Sequence, residues 1–345
     1  MHVLVTGNLG YIGPVVVSAL LAEGHQVGGL DSGLFSGAGL EPIITVPTTL
    51  KDIRDVTAAD LDGFQAVVHL AALSNDPLGL IDPHLTAEIN GDATVRLARV
   101  ARDAGVQRFL MSSSCSVYGA AEDTWVDELT TPRPVTPYAE SKLRAEGGLV
   151  ELSSPDFCVV CLRHATAFGY SANLRTDVVV NDLVAGAFLR KEVRLLSDGS
   201  AWRPLVHIRD IANAFVQALS APTAKVNGAV VNIGANEQNY KVIEIAKNVI
   251  QAVPDAQLLV AEGASTDRRS YRVKFDRLGA VLPSFECRYD LATGIADLVT
   301  NFHRIGLKSI ENCVRLDFLR RRLEVGEMDL SLRPRVRLAG SIPEP

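Results

Sequence analysis

Tyr138 and Lys142 stand four residues apart in Pro137-Tyr138-Ala139-Glu140-Ser141-Lys142, at the start of a stretch that reads as a helix to about Leu152. Side chains at that spacing share one helical face, about one turn apart. A phenol with an ordinary pKa near 10 is a poor base at neutral pH, but a neighbouring ammonium favours the phenolate and can bring it into range. Lys142 is therefore expected to tune Tyr138 downward. Such a pair is common on protein surfaces, and the argument for chemistry comes from its setting. The strand-like run RFLMSSS ends in Ser112-Ser113-Ser114, followed by Cys115-Ser116-Val117-Tyr118-Gly119. That places hydroxyls at the carboxyl edge of a sheet, where ligands bind. A phenol, an ammonium and a serine hydroxyl gathered there suit proton transfer at an alcohol or ketone oxygen.

A second constellation supplies a place for a dinucleotide. Thr6-Gly7-Asn8-Leu9-Gly10-Tyr11-Ile12-Gly13 follows the apolar strand-like run HVLVT and opens an apolar helix. Gly7 permits a tight turn, Gly10 a close backbone approach to pyrophosphate, and Gly13 close packing of helix on strand, while the helix N-terminus favours negative charge. Asp31 ends the second strand-like run, QVGGLD, at the distance where a carboxylate meets the adenosine ribose hydroxyls. Ser32, Gly33 and Leu34 follow it, and none could neutralise a 2′-phosphate. The cofactor expected is NAD.

The G-x-x-G-x-x-G spacing, the serine run and Tyr138-Ala139-Glu140-Ser141-Lys142, in that order, resemble the extended short-chain dehydrogenases/reductases, specifically the NAD-dependent epimerase/dehydratase family. The resemblance extends to about residue 300. It implies that Asn8, Tyr11 and Ile12 contact the cofactor with the three glycines, that Asp52 and Ile53 meet adenine, and that Leu70, Ala71, Ala72 and Asn90 lie along the dinucleotide. Read alone, Asp52 is equally a turn residue and Asn90 a helix-surface residue. It implies further that Ser114 hydrogen-bonds the reacting oxygen, Tyr138 moves its proton, and Lys142 also holds the nicotinamide ribose. Ser113 and Ser116 are the alternatives to Ser114.

The substrate implied is a nucleoside-diphosphate sugar. Arg203, in DGSAWRPLVHIRD, matches an arginine that grips the diphosphate, and guanidinium geometry suits phosphate oxygens. Asn181 matches a diphosphate contact at a helix start, and Ser74 and Thr166 fall at substrate positions. Thr166 stands where UDP-hexose 4-epimerases carry Asn. A second phosphate-gripping arginine is expected three residues before Asp267, where this chain has Ala264, so Arg268 or Arg269 is the substitute. His164 reads as a packed strand residue. The Asp-Glu pair of the family's 4,6-dehydratases is replaced by Cys115 and Ser116, which disfavours dehydration, and Cys115 is one position away from the cysteine used by reductive 3,5-epimerases. The preferred expectation is epimerisation at C4 by transient oxidation to a keto sugar. The alternatives are an NDP-4-keto-sugar reductase and a non-enzymatic dinucleotide sensor, and a sensor has no need of a proton donor.

The elements that must position these groups alternate: HVLVTG, a helix near Val15 to Glu23, QVGGLD, AVVHLA, a helix near Thr86 to Ala104, and RFLMSSS. Such alternation predicts an α/β fold with a doubly wound parallel sheet of the Rossmann type. At 345 residues a second, smaller mixed α/β lobe is expected. The division predicted is a cofactor domain over residues 1–170, rejoined by about 205–235, a substrate lobe over 171–332 and a weakly structured tail over 333–345. SANLRTD reads as a loop, and Pro254 and Pro283 interrupt later helices.

Hydrophobic residues make up 47% and charged residues 21% of the chain, with a net charge of −6, a balance that fits a folded protein and argues against nucleic acid as partner. The start lacks the pattern of a signal peptide, and no run reaches the ~20 apolar residues of a membrane span. A cytoplasmic enzyme with no membrane partner is expected, and the resemblance adds a homodimer. The five cysteines are expected to be reduced, with no metal. Cys158 and Cys161 form C-x-x-C within FCVVCLRH, but a strand sends them to opposite faces.

Overall fold

Val3, Leu4 and Val5 are consecutive and all buried, as a strand covered on both faces requires. They form β1, His2–Thr6, in a computed structural model that describes residues 1–121, 124–261 and 270–335. Six more strands join it: β2 Gln26–Asp31, β3 Thr48–Leu50, β4 Ala66–His69, β5 Arg108–Ser114, β6 Cys158–His164 and β7 Ala229–Ile233. Their order is β7-β6-β5-β4-β1-β2-β3, with every pairing parallel. Because the order reverses between β1 and β4, a crevice opens at the carboxyl ends there.

The longer helices are α1 Gly13–Ala22, α2 Ala93–Asp103, α3 Pro137–Val150, α4 Val179–Arg190, α5 Ile208–Ser220, α6 Val242–Ala252, α7 Leu291–Arg304 and α8 Arg315–Glu324. Apolar residues of α1 and α5, including Val16, Leu20, Phe215 and Leu219, cover one face of the large sheet, and Leu97, Ala101 and Leu149 of α2 and α3 cover the other. Cys158 packs in the first of these layers and Cys161 in the second, with both thiols free. A second core gathers Leu183, Ile245, Leu298 and Phe302 from α4, α6 and α7. Beside it, Thr166–Phe168, Trp202–His207 and Asn239–Lys241 form a three-stranded sheet.

The chain moves repeatedly between these cores. Leu162 belongs to the large-sheet layer, Leu183 to the second core, Phe215 and Val231 to the first again, Ile245 to the second, Phe275 and Leu282 to the first, and Leu298 to the second. Leu319, Met328 and Leu332 then pack with Leu34, Leu73, Leu78 and Leu85.

Two expectations need refinement. The helix foreseen from Thr86 to Ala104 is interrupted by a π-helical segment, Ala87–Asp92, ahead of α2. Its Asn90 amide is bonded to the backbone of Leu73, a contact outside the helix. The stretch from Arg333 to Arg335 is also tied down: Arg333 ion-pairs with Asp55, and Pro334 bridges Met328. Residues 336–345 lie outside the described residues. No described helix is long and apolar enough to cross a membrane.

Candidate active site

The carboxyl end of β1 turns through Gly7, whose φ of +73° favours glycine, and an added Cβ there would sit 2.7 Å from the Ala71 nitrogen. Gly13 has no room either, since its Cβ would lie 2.6 Å from the Asn8 carbonyl carbon. The two glycines thus press the start of α1 onto the strand ends. Gly7, Gly10, Tyr11, Ile12 and Gly13 line a cavity of about 770 Å³. Asp31 lines it too, oriented by the Leu9 and Gly33 amides at 3.1 and 2.8 Å. Burial raises the Asp31 carboxyl above its ordinary range, outweighing those two bonds. Asp52, Ile53, Leu70, Ala71 and Ala72 complete the cofactor half of the wall. The donor set fits a dinucleotide: free backbone at a helix N-terminus for the phosphates, a carboxylate for the ribose and apolar residues for adenine.

Ser114, Tyr138 and Lys142 line the same cavity. Ser114 ends β5, and its Oγ accepts the Ser116 amide at 3.1 Å. Ser114 and Tyr138 meet on the wall of that cavity. Thr136 caps α3 by accepting the Ala139 amide at 3.2 Å, which fixes where Tyr138 leaves the loop. Lys142 is buried, donates to the Ser112 carbonyl at 2.9 Å, and places its ammonium 5.9 Å from the Tyr138 ring centroid.

The expected downward tuning of Tyr138 is not what the geometry produces. Burial and the nearby Asp76 carboxylate push its phenol up to about 12, against the lowering influence of the Ser114 hydroxyl and the charge of Arg175. Lys142 is the group that moves down, to about 8, because burial disfavours its charge. Tyr138 accordingly rests as the phenol. Of the alternatives to Ser114, Ser113 is committed elsewhere, donating to Glu146 at 2.5 Å, whereas the Ser116 hydroxyl is buried beside the cavity. Cys115 turns into the core and donates to the Arg163 carbonyl at 3.2 Å.

On the substrate side, Ser74, Thr166 and Arg203 line the cavity. Arg268 lies outside the described residues, as do Ala264, Asp267 and Arg269. Three asparagines assigned as contacts do not line it. Asn8 is buried and donates to Thr48 Oγ1 at 3.0 Å. Asn90 is held by Leu73 and by the Ser141 hydroxyl. Asn181 is spent inside the fold: its oxygen accepts the Gly169 amide, and its nitrogen donates to the Tyr11 hydroxyl and the Arg175 carbonyl. Asn90 and Asn181 thus meet complementary protein groups through both ends of their amides, whereas Asn8 Oδ1 is buried without a partner.

His164 lines the cavity and packs against Phe215 with ring centroids 5.4 Å apart. Burial lowers its pKa to about 3, so it stays neutral. Among the cavity residues that escaped the sequence reading are two buried arginines. Arg175 lies in the loop SANLRTD, where an arginine among small polar residues was the available signal, and Arg315 lies on α8, where no motif marked it. Among the described residues no cluster of three or more His, Cys, Asp or Glu is arranged to hold a metal.

A model of the NAD dependent epimerase/dehydratase family matches residues 3–234. UDP-glucose 4-epimerase of Mycolicibacterium smegmatis is 33% identical over 230 residues, which span 63% of this chain and 73% of that protein. Among solved structures, MoeE5 in complex with UDP-glucuronic acid and NAD is similar at a TM-score of 0.78 and 28% identity, over 89% of this chain and 100% of that one. UDP-glucose 4-epimerase from Thermotoga maritima, 23% identical, shares the fold at a TM-score of 0.79 over 89% of this chain and 100% of its own. The structural likeness therefore continues past Gly234, where the family match ends. With the glycine loop, Asp31 and the Ser114, Tyr138 and Lys142 cluster around one cavity, the chain belongs to the NAD dependent epimerase/dehydratase family of extended short-chain dehydrogenases/reductases, and it is an NAD-dependent enzyme of the nucleotide-sugar epimerase kind.

Proposed function

We propose that the protein interconverts C4 epimers of a nucleoside-diphosphate sugar, with UDP-linked hexoses and hexuronates the first candidates. The observation that carries this reading is the gathering of Ser114, Tyr138 and Lys142 on the one cavity that the glycine loop and Asp31 also line. NAD, when bound, supplies the acceptor and then the donor of the hydride. Ser114 hydrogen-bonds the C4 oxygen, and Tyr138 gives up its own phenolic proton to solvent, takes the hydroxyl proton as the phenolate that the Lys142 ammonium favours, and gives it back when hydride returns. Lys142 keeps positive charge beside the phenol and holds the nicotinamide ribose.

In the same reading Gly7, Gly10, Tyr11, Ile12 and Gly13 receive the pyrophosphate, Asp31 the adenosine ribose, and Asp52 and Ile53 the adenine. Ser74, Thr166 and Arg203 face the sugar nucleotide. Residues 1–170, with the return near 205–235, form the cofactor domain, and 171–332 the substrate lobe. Five free thiols support a reducing compartment such as the cytoplasm, and a homodimer follows from the family resemblance. Light scattering on the purified protein tests the dimer.

The functional test incubates the protein with UDP-, dTDP-, GDP-, ADP- and CDP-hexoses and UDP-hexuronates in catalytic NAD, following products by chromatography and NADH by absorbance. Epimer formation without net NADH is expected. Turnover restricted to 4-keto sugars, with one NADH consumed per product, would replace the epimerase with a reductase.

A further inference from the structure

Arg315 is 2% exposed and is among the residues that line the cavity. One nitrogen donates to the Asn173 carbonyl at 2.7 Å, while Nη1 is buried without a partner. Among the described residues no carboxylate pairs with it. Burying an unpaired cation is unfavourable unless a ligand supplies the missing negative charge. The strain registers in its pKa, lowered to about 10 by burial and by the charge of Arg175. Arg175 is also buried, with Nε on Asp177 at 2.6 Å, Nη1 on the Ser74 hydroxyl at 2.9 Å, and Nη2 without a partner. Within the group of Arg175, Asp177 and Arg315, two guanidiniums share one carboxylate, which leaves a local surplus of positive charge on this part of the cavity wall.

Their neighbours say which part of the cavity this is. Arg315 stacks on Phe35 at 5.1 Å, four residues after Asp31 in the chain. Asn173, which accepts from Arg315, donates its side-chain amide to the Leu9 carbonyl at 2.5 Å, in the glycine loop. The surplus charge is thus tied to both the ribose-side loop and the phosphate loop. A dinucleotide seated on that loop presents two phosphates there.

The segment bearing Arg315 is fastened across the adenosine end. Arg322 donates to the Gly33 and Leu34 carbonyls, both at 2.8 Å. Arg54, held by Asp52, donates to the Ser331 carbonyl at 2.7 Å, and Arg333 ion-pairs with Asp55. Leu332, at φ +60°, lines the cavity with Leu34 and Phe35. The fastened segment itself, residues 315–335, lies beyond residue 234, where the family match ends.

We propose that residues 315–335 form a strap that retains the cofactor: Arg315, with Arg175, faces the pyrophosphate of bound NAD across from the glycine loop, and α8 with Leu332 closes the adenosine end. The proposal rests on the NAD site described above. A strap of this kind suits an enzyme that must keep its cofactor through a complete redox cycle.

Calorimetry and stopped-flow release on the full chain provide the test, with NAD, ADP-ribose, adenosine and UDP as probes. Arg315→Met is expected to weaken NAD and ADP-ribose by tenfold or more, to leave adenosine within about twofold, and to reduce the melting-temperature gain that NAD confers. Without cofactor the variant should melt no lower than the wild type, because an unpaired buried charge has gone. Equal loss for adenosine and NAD would make Arg315 a purely structural residue and overturn the proposal. Weakened UDP with unchanged NAD would assign the charge to substrate and overturn it too. Arg322→Ala, which leaves both buried guanidiniums in place, should speed NAD release at least threefold, and an unchanged release rate would remove the strap. If the wild type itself fails to bind NAD, it is the cofactor site that falls.

Discussion

Glu146 and Arg163 meet through two hydrogen bonds, 2.9 and 2.7 Å long, beneath the serine run that ends β5. The same carboxylate accepts the Ser113 hydroxyl, and the same guanidinium donates to Tyr118. The side chains of Glu146 and Arg163 are 3% and 7% exposed, so neither can turn to water if the other is removed. Glu146→Ala should therefore cost about 3–5 kcal/mol in urea unfolding, while Glu146→Met with Arg163→Met should recover most of the loss. A single variant within about 1 kcal/mol of the wild type would show that the pair is not what holds this strand end.

Tyr138→Phe removes the phenolic oxygen and keeps the ring. Turnover should fall by about a hundredfold or more, with NAD affinity within about threefold of wild type by calorimetry. Full turnover in this variant would take Tyr138 out of the reaction.

Asp31 offers a carboxylate where NADP would bring a 2′-phosphate, and burial already makes its charge costly. NAD should bind at least tenfold more tightly than NADP, and Asp31→Ser should narrow that gap by weakening NAD. Equal affinities in the wild type would contradict the placement of the ribose.

The pH profile should carry the signature of Lys142. With its pKa lowered to about 8, the ammonium is present below that value and is lost as pH rises through it. In the free enzyme, kcat/KM should bend downward near pH 8, its slope dropping by about one decade per pH unit as the ammonium is lost while the phenolate fraction of Tyr138 keeps rising. Tyr138, pushed up to about 12, contributes no bend in this range. A profile with no bend between about pH 6 and 10 would show that the ammonium form is not required.

Arg203→Leu should weaken sugar-nucleotide binding by about 2–5 kcal/mol and spare NAD. Parallel loss of both ligands in calorimetry would point to misfolding of the Trp202–His207 strand.

The glycine loop, Asp31 and the Ser114, Tyr138 and Lys142 set were legible in the sequence because each lies at a strand end or helix start, where local patterning marks the element and the sheet edge marks the location. The asparagines show where that reading runs out. Nothing local distinguishes an amide aimed at a ligand from one aimed at the backbone, and Asn181 meets Tyr11 across 170 positions of chain. Arg315 is harder still, since its contact with Asn173 spans 142 positions and α8 carries no motif. The upward shift of Tyr138 was hidden for a related reason: burial sums over the whole fold, whereas the Lys142 spacing is local.

The shuttling of the chain between the two cores has a mechanical consequence. A lobe joined by a single linker can swing freely, but here successive segments bearing Leu183, Phe215, Ile245, Phe275 and Leu298 stitch the two cores together. Any opening of the crevice must bend those connections in concert, which leaves a narrow arc of motion rather than a loose hinge. A cut at one loop would leave two fragments still laced through each other, each needing the other's strands or helices to finish its own interior.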